Sequence, residues 1–218
     1  MKQLEVMHAQ LLAYLGFVLA CIFSTAVQSA TVSDLLITEI MANPTAVSDT
    51  QGEWFELFNP TSESVDLSDI VLSDDGSNRH IISTGNSLLV TPGSYFVMAR
   101  SGDASLNGGL MADYVYNSFS LGNTRDQIIF SDGSGELLRL NYDAGFVPAG
   151  GSMELIDAVM LPSNYAATTT AYGLGDLGTP GTAGSFAQPI AAVPLPGAAW
   201  LMGSGLLGLI GFGRKHLA

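Results

Sequence analysis

The chain has 218 residues, with 20 acids against 7 bases, a formal charge of −13, a mean hydropathy of +0.33 and one cysteine, Cys21. That length allows one domain with at most a small appendage, and its charge is concentrated: residues 31–196 hold 19 acids and 4 bases, a net −15 that repels phosphate backbones and disfavours direct nucleic-acid binding. Cys21 sits in an N-terminal apolar run and His80 is the sole histidine of the middle, so that part has no disulfide, thiol nucleophile or thiolate metal site, and a serine triad would rest on His80 alone.

Residues 1–30 begin with Lys2, continue as an apolar run over 11–23, and end in the small or polar Ser24, Thr25, Ala26, Ser29 and Ala30. This is the layout of a secretory signal peptide, cut by signal peptidase after Ser29 or Ala30, or earlier after Ala26. An uncleaved anchor and a lipoprotein using Val18, Leu19, Ala20 and Cys21 are the alternatives.

From residue 33 to about 157, short β-branched and aromatic runs alternate with Gly, Pro, Asn, Asp and Ser clusters, which predicts an all-β sandwich or barrel. Strands are expected at 35–41, 53–59, 70–73, 80–83, 87–90, 95–99, 113–116, 127–131, 137–142 and 153–156. Asp75-Gly76, Asp132-Gly133 and Thr91-Pro92-Gly93 are the turn signals between them. Within 53–59, period-2 alternation puts Phe55 and Leu57 on one face and Trp54, Glu56 and Phe58 on the other, so this strand should be central and covered on both sides. Residues 162–175 fit no strand, and 178–192, rich in Pro, Ala, Gly and Ser, should be an extended, flexible linker. The sandwich is expected to span 31–157, with a possible extension to about 185.

At the far end, Val193, Pro194, Leu195 and Pro196 precede an uncharged apolar run over 197–213, which stops at Arg214 and Lys215. As a helix that run would rise about 25 Å, the low limit for a membrane span, and the basic stop puts its end in the cytoplasm. This tripartite end, residues 193–218, closely resembles the PEP-CTERM sorting signals of Gram-negative bacteria in the variant that reads Val-Pro-Leu-Pro. The resemblance implies recognition by an exosortase, a membrane enzyme with a thiol nucleophile, cutting near the proline motif. The product would pass from an inner-membrane precursor to the cell envelope or an exopolysaccharide matrix.

The middle carries a second resemblance. Residues 35–44 (Leu-Leu-Ile-Thr-Glu-Ile-Met-Ala-Asn-Pro), then Glu53, Trp54, Phe55, Glu56, Leu57, Phe58 and Asn59, then Val65, Asp66 and Leu67, Leu121, Gly122 and Asn123, and the Asp132 to Gly135 turn resemble the lamin tail domain in order. That family is an Ig-like β-sandwich found in nuclear lamins and in secreted bacterial proteins, and Gly178, Thr179, Pro180 and Gly181 resemble a closing motif that often follows the bacterial domains. Here Trp54, Phe55, Leu57 and Phe58 form the structural core motif.

Candidate chemistry is sparse. Trp54 could be a sugar platform, but Trp is usually largely buried, and core is the expected role. Glu39, Glu53 and Glu56 lie on neighbouring early strands and could converge as a glycosidase pair or a calcium site, yet no nearby residue type would tune one carboxylate against another. The plain expectation is of solvated or backbone-bonded acids at a sandwich edge. Asp74, Asp75, Asp132 and Glu136 offer calcium-type oxygens without EF-hand spacing and read first as turn residues. No catalytic residue and no cofactor are implied. The expected function is a non-enzymatic structural, adhesion or interaction module. The alternatives are a carbohydrate- or calcium-dependent binding module using exposed Tyr95, Tyr114, Tyr116 or Tyr142, and an accessory domain in extracellular nucleic-acid metabolism.

Overall fold

A computed structural model of the chain describes residues 29–184. Short apolar runs bounded by turn residues form β1 (Leu36–Met41), β2 (Trp54–Phe58), β3 (Val65–Asp66), β4 (Val71–Ser73), β5 (Arg79–Ile81), β6 (Leu89–Val90) and β7 (Tyr95–Ala99). They continue as β8 (Tyr114–Val115), β9 (Asp126–Asp132), β10 (Gly135–Tyr142), β11 (Met153–Leu155) and β12 (Tyr165–Ala167), with one short α-helix, α1 (Asp49–Gly52), before β2 and 3-10 turns at Val32–Asp34 and Pro162–Asn164. The strands form a six-stranded sheet in the order β12-β11-β1-β2-β7-β8, a four-stranded sheet β10-β9-β4-β5 and the small pair β3-β6. Every pairing is antiparallel except β7 with β8.

The core lies between the two large sheets. Ile37, Ile40, Phe55, Leu57, Phe96, Met98 and Leu155 come from the six-stranded sheet and meet Leu72, Ile128, Phe130, Leu138, Leu140 and Tyr142 from the four-stranded one. β2 is central, as its composition predicts. All five of its residues are buried, Phe55 and Leu57 in this core, and Trp54 on the other face with Met41, Val97, Ala99 and Leu110.

The predicted turns connect the expected strands: Asp75-Gly76 links β4 to β5, Thr91-Pro92-Gly93 links β6 to β7, and Asp132 to Gly135 closes the β9–β10 hairpin. Three differences have physical causes. The expected strand at 80–83 is Arg79–Ile81, starting one residue earlier and ending two earlier, where it pairs with β4 from Val71↔Ile81 to Ser73↔Arg79. β12 lies inside 162–175, where no strand was expected: its Tyr-Ala-Ala sequence has little intrinsic β character, and pairing with β11 and the Tyr165 hydroxyl on the Ile37 carbonyl (2.5 Å) hold it. Nor does a free linker begin at Gly178, because residues 178–184 are hydrogen-bonded across the outer face of the six-stranded sheet. The sandwich therefore continues past 157.

Among the described residues no helix is long and apolar enough to cross a membrane. The expected signal peptide apart from Ser29 and Ala30, the Val193 to Pro196 motif, the apolar run 197–213, and Arg214 and Lys215 lie outside the described residues, as do 185–192 of the expected linker.

Candidate functional site

A one-residue irregularity in β1 creates the most unusual chemistry of the domain. Ile37 pairs with Leu57 and Glu39 with Glu56, so Thr38 is extra and the alternation of β1 changes phase there. Ile37 and Ile40 thus both point into the core, whereas Thr38 and Glu39 share the outer face with Glu56. Strict alternation from Leu35 and Ile37 would have driven Glu39 into the core. On the other side of β1, Glu39 pairs with Glu154 of β11. Three carboxylates therefore stand side by side on β11, β1 and β2, each at most 4% exposed.

They are covered by residues 178–184. Gly178 fits between Trp54 and Tyr172, where a Cβ would lie 3.0 Å from both rings. Thr179, Pro180, Gly181 and Thr182 make a type II turn, with Gly181 at φ 77° and the Thr182 N–H donating to the Thr179 carbonyl at 3.2 Å. The turn points donors at the sheet. Thr179 gives its N–H and its hydroxyl to Glu39, both at 2.8 Å, and Gly181 gives its N–H to Glu56 at 2.7 Å. Ser152 donates to Glu39 and Thr38 to Glu56. Burial raises the Glu39 carboxyl against these donors, and it pushes Glu56 up to about 8, with Glu39 and Glu154 adding like-charge repulsion. The space left among Thr38, Glu39, Glu56, Tyr95, Glu154, Thr179 and Gly184 is only about 10 Å³, the least that could hold one water.

Glu53 does not join this group. It lies at the start of β2, where Arg100 reaches it at 3.1 Å and the Leu121 N–H donates at 3.0 Å. Burial outweighs both and lifts its carboxyl to about 7. Of the expectation of solvated or backbone-bonded acids at a sandwich edge, the backbone bonding holds for Glu39, Glu53 and Glu56 and the solvation does not. They are backbone-bonded, but buried, and Glu39 and Glu56 are on interior strands. Glu154 was not singled out from the sequence, and Gly178 to Gly181, which resemble a closing motif, gave no sign there of lying on Glu39 and Glu56, because nothing short-range links residues 152–184 to β1.

Beside Glu53, Tyr116 stacks on Phe55 with ring centroids 5.7 Å apart, and its buried hydroxyl has no hydrogen-bond partner among the described residues. Tyr116→Phe is therefore expected to leave the fold intact and to raise stability by about 1 kcal/mol in a thermal or urea melt, because it removes an uncompensated polar group. A loss of more than that would mean that the hydroxyl has a partner. Tyr116 and Tyr142, expected as exposed ligand contacts, are each 1% exposed. Tyr142 follows Leu138 and Leu140 on the inward face of β10 and donates to the Gly122 carbonyl at 2.9 Å. Tyr95 and Tyr114 are half-buried. Tyr95 packs on Phe58, and Tyr114 bonds at 2.8 Å to His80, which sits buried in β5.

The calcium-type residues are engaged as turn and ion-pair groups. Asp74 accepts from the Gly76 and Asn78 N–H groups, and Asp132 from Ser134 and Gly135. Asp75 and Glu136 meet at Arg139, at 2.9 and 2.8 Å. Among the described residues no group of three or more His, Cys, Asp or Glu side chains is placed to hold a metal ion. One open polar cleft of about 350 Å³ lies elsewhere, lined by Asp66, Ser68, Asp69, Thr84, Asn86 and Ser87. In it Asp66 is held down to about 2 by the hydroxyl and N–H of Ser68 and the N–H of Leu88.

Comparison with curated proteins finds no match. A family model, the lamin tail domain, matches residues 28–144, more than half of the chain, which takes in both large sheets as far as β10 and leaves β11, β12 and the covering segment beyond its end. With an all-β sandwich whose central strand carries the Glu-Trp-Phe-Glu-Leu-Phe-Asn run, the chain belongs to the lamin tail domain family.

Proposed function

We propose that this protein is an exported, non-enzymatic structural or interaction module, delivered to the cell envelope or exopolysaccharide matrix of a Gram-negative bacterium. One observation carries the reading: the carboxylates that the sequence offers for chemistry all hold the fold together. Glu39, Glu53 and Glu56 fasten distant backbone to β1 and β2, Asp75 and Glu136 clamp Arg139, and Asp74 and Asp132 close their own turns. The signal-like and sorting-like ends supply the route, with a signal peptidase and an exosortase-type enzyme as processing partners and a C-terminal membrane helix before processing. Fractionation of the native host with intact-mass measurement tests this. The expected species starts near Ala30 or Thr31, lacks the chain beyond the Val193 to Pro196 motif, and is found in the envelope or matrix. A chain retaining both ends contradicts it, and so does polysaccharide or nucleic-acid hydrolysis by the purified protein that Glu39→Gln or Glu56→Gln abolishes.

A second reading, carbohydrate binding, is favoured by the polar cleft at Asp66, Ser68, Asp69, Thr84, Asn86 and Ser87, whose hydroxyl, amide and carboxylate groups match the hydrogen-bonding needs of a sugar. Titration with the host's exopolysaccharide separates the two, since no heat and no thermal shift would end this reading.

A further inference from the structure

We propose that residues 178–184 form a proton-dependent latch, closed over Glu39 and Glu56 while these carboxyls share a proton and released from the sheet when both ionise. The latch is built from two parts of the chain that meet only in the folded domain. The β1 irregularity brings Glu39 beside Glu56, and the Thr179 to Thr182 turn caps them through three hydrogen bonds, two to Glu39 and one to Glu56. The fit is close at its end, where a Cβ on Gly184 would collide with the Glu154 carboxylate.

Among the described residues the groups facing this pair favour release at high pH. β11 presents Glu154, β7 presents Tyr95, and the latch itself has no titratable side chain. Tyr172, on the preceding loop, donates no charge at neutral pH and accepts the Trp54 indole N–H at 2.8 Å. Asp176 beyond it is bonded to Thr45 and Ala46. The ion pairs among the described residues use Arg100 and Arg139, and none reaches Glu39 or Glu56. A second negative charge in this buried group therefore meets like charge, and the donors of the latch offset it only in part. Among the described residues the latch lies over both carboxyls on this face, so lifting it would hydrate them while the core between the sheets stays closed. Burial, raising Glu39 and lifting Glu56 to about 8, fits this behaviour.

Release would also lengthen the tether. Residues 185–192 separate the latch from Val193 and span at most about 28 Å, and the seven residues of the latch would add about 25 Å. That this changes access to the proline motif rests on the sorting reading above, whereas the latch does not.

Hydrogen exchange on the full chain at pH 5 and pH 9, corrected for intrinsic rates, tests the proposal. The Thr179 and Gly181 amides should lose at least about tenfold more protection than residues 54–58 between the two conditions. Glu56→Gln, uncharged at both, should keep the latch closed at pH 9, and Thr179→Ala should loosen it at pH 5 without exposing 54–58. Equal protection of the latch at both pH values, or loss only in step with residues 54–58, overturns the proposal. If Glu56→Gln lowers protection of 54–58 at pH 5, Glu39→Gln carries the same comparison. A latch that opens while the C-terminus stays uncut in the native host would sink the sorting reading alone.

Discussion

Phe55→Ala is expected to destabilise the domain by about 3–5 kcal/mol, a fall of roughly 10–15 °C in melting temperature. Phe55 is fully buried on the central strand, and its ring meets Tyr116 at 5.7 Å, Phe119 at 6.4 Å and, from the opposite sheet, Phe130 at 6.0 Å. The truncation leaves a hole where the two sheets touch, and the rigid aromatic neighbours cannot collapse into it without moving strands. Since a domain of this size is stable by only about 5–15 kcal/mol, a sizeable unfolded fraction should appear at moderate urea. Val115→Ala, on a strand at the sheet edge and 44% exposed, serves as the control and should stay within about 0.5 kcal/mol. A Phe55→Ala loss below about 1 kcal/mol would contradict closure of the sheets over this ring.

The whole domain should also be more stable at pH 5 than at pH 8.5, opposite to the usual behaviour of carboxylates in ion pairs. Glu53 and Glu56 have folded-state values of about 7 and about 8, above the ordinary glutamate value of 4.5. Between 4.5 and these values the folded chain holds more protons than the unfolded one, so unfolding free energy falls as pH rises. The contribution is complete below about 4.5 and is lost through about 8. Glu39, raised in the same direction, adds to it, and self-repulsion of the −15 segment works the same way. Thermal melts across this range should show a decline, and Glu56→Gln should flatten its upper part. A melting temperature that rises from pH 5 to pH 8.5 would mean that these carboxyls ionise without penalty. Hydrogen exchange separates this global trend from the latch, which opens while residues 54–58 remain protected.

Much of the architecture was legible. Alternation in Trp54 to Phe58 identified a strand covered on both faces, and the structure places it fourth among six strands with every residue buried. Leu138, Leu140 and Tyr142 share one face by the same rule, so the expectation of an exposed Tyr142 ran against the pattern of its own strand. The hairpin turns were readable because Asp-Gly pairs and Pro-Gly have few alternatives to a turn. β12 was not readable, since Tyr-Ala-Ala becomes a strand only through β11 beside it.

The site divides along the same line. By itself the sequence determined the all-β class, the strand that carries the Trp-Phe-Glu-Leu-Phe core, the acidic charge of the middle and the identity of Glu39, Glu53 and Glu56 as residues of interest, because each of these depends on composition or on spacing within a few residues. Only the tertiary structure decided that Glu53 turns to Arg100 while Glu39 and Glu56 meet, that Glu154 stands beside them, and that residues 178–184 cap the group. Those outcomes follow from a one-residue change of register in β1 and from contacts between segments 47 to 140 residues apart, and no local pattern encodes either.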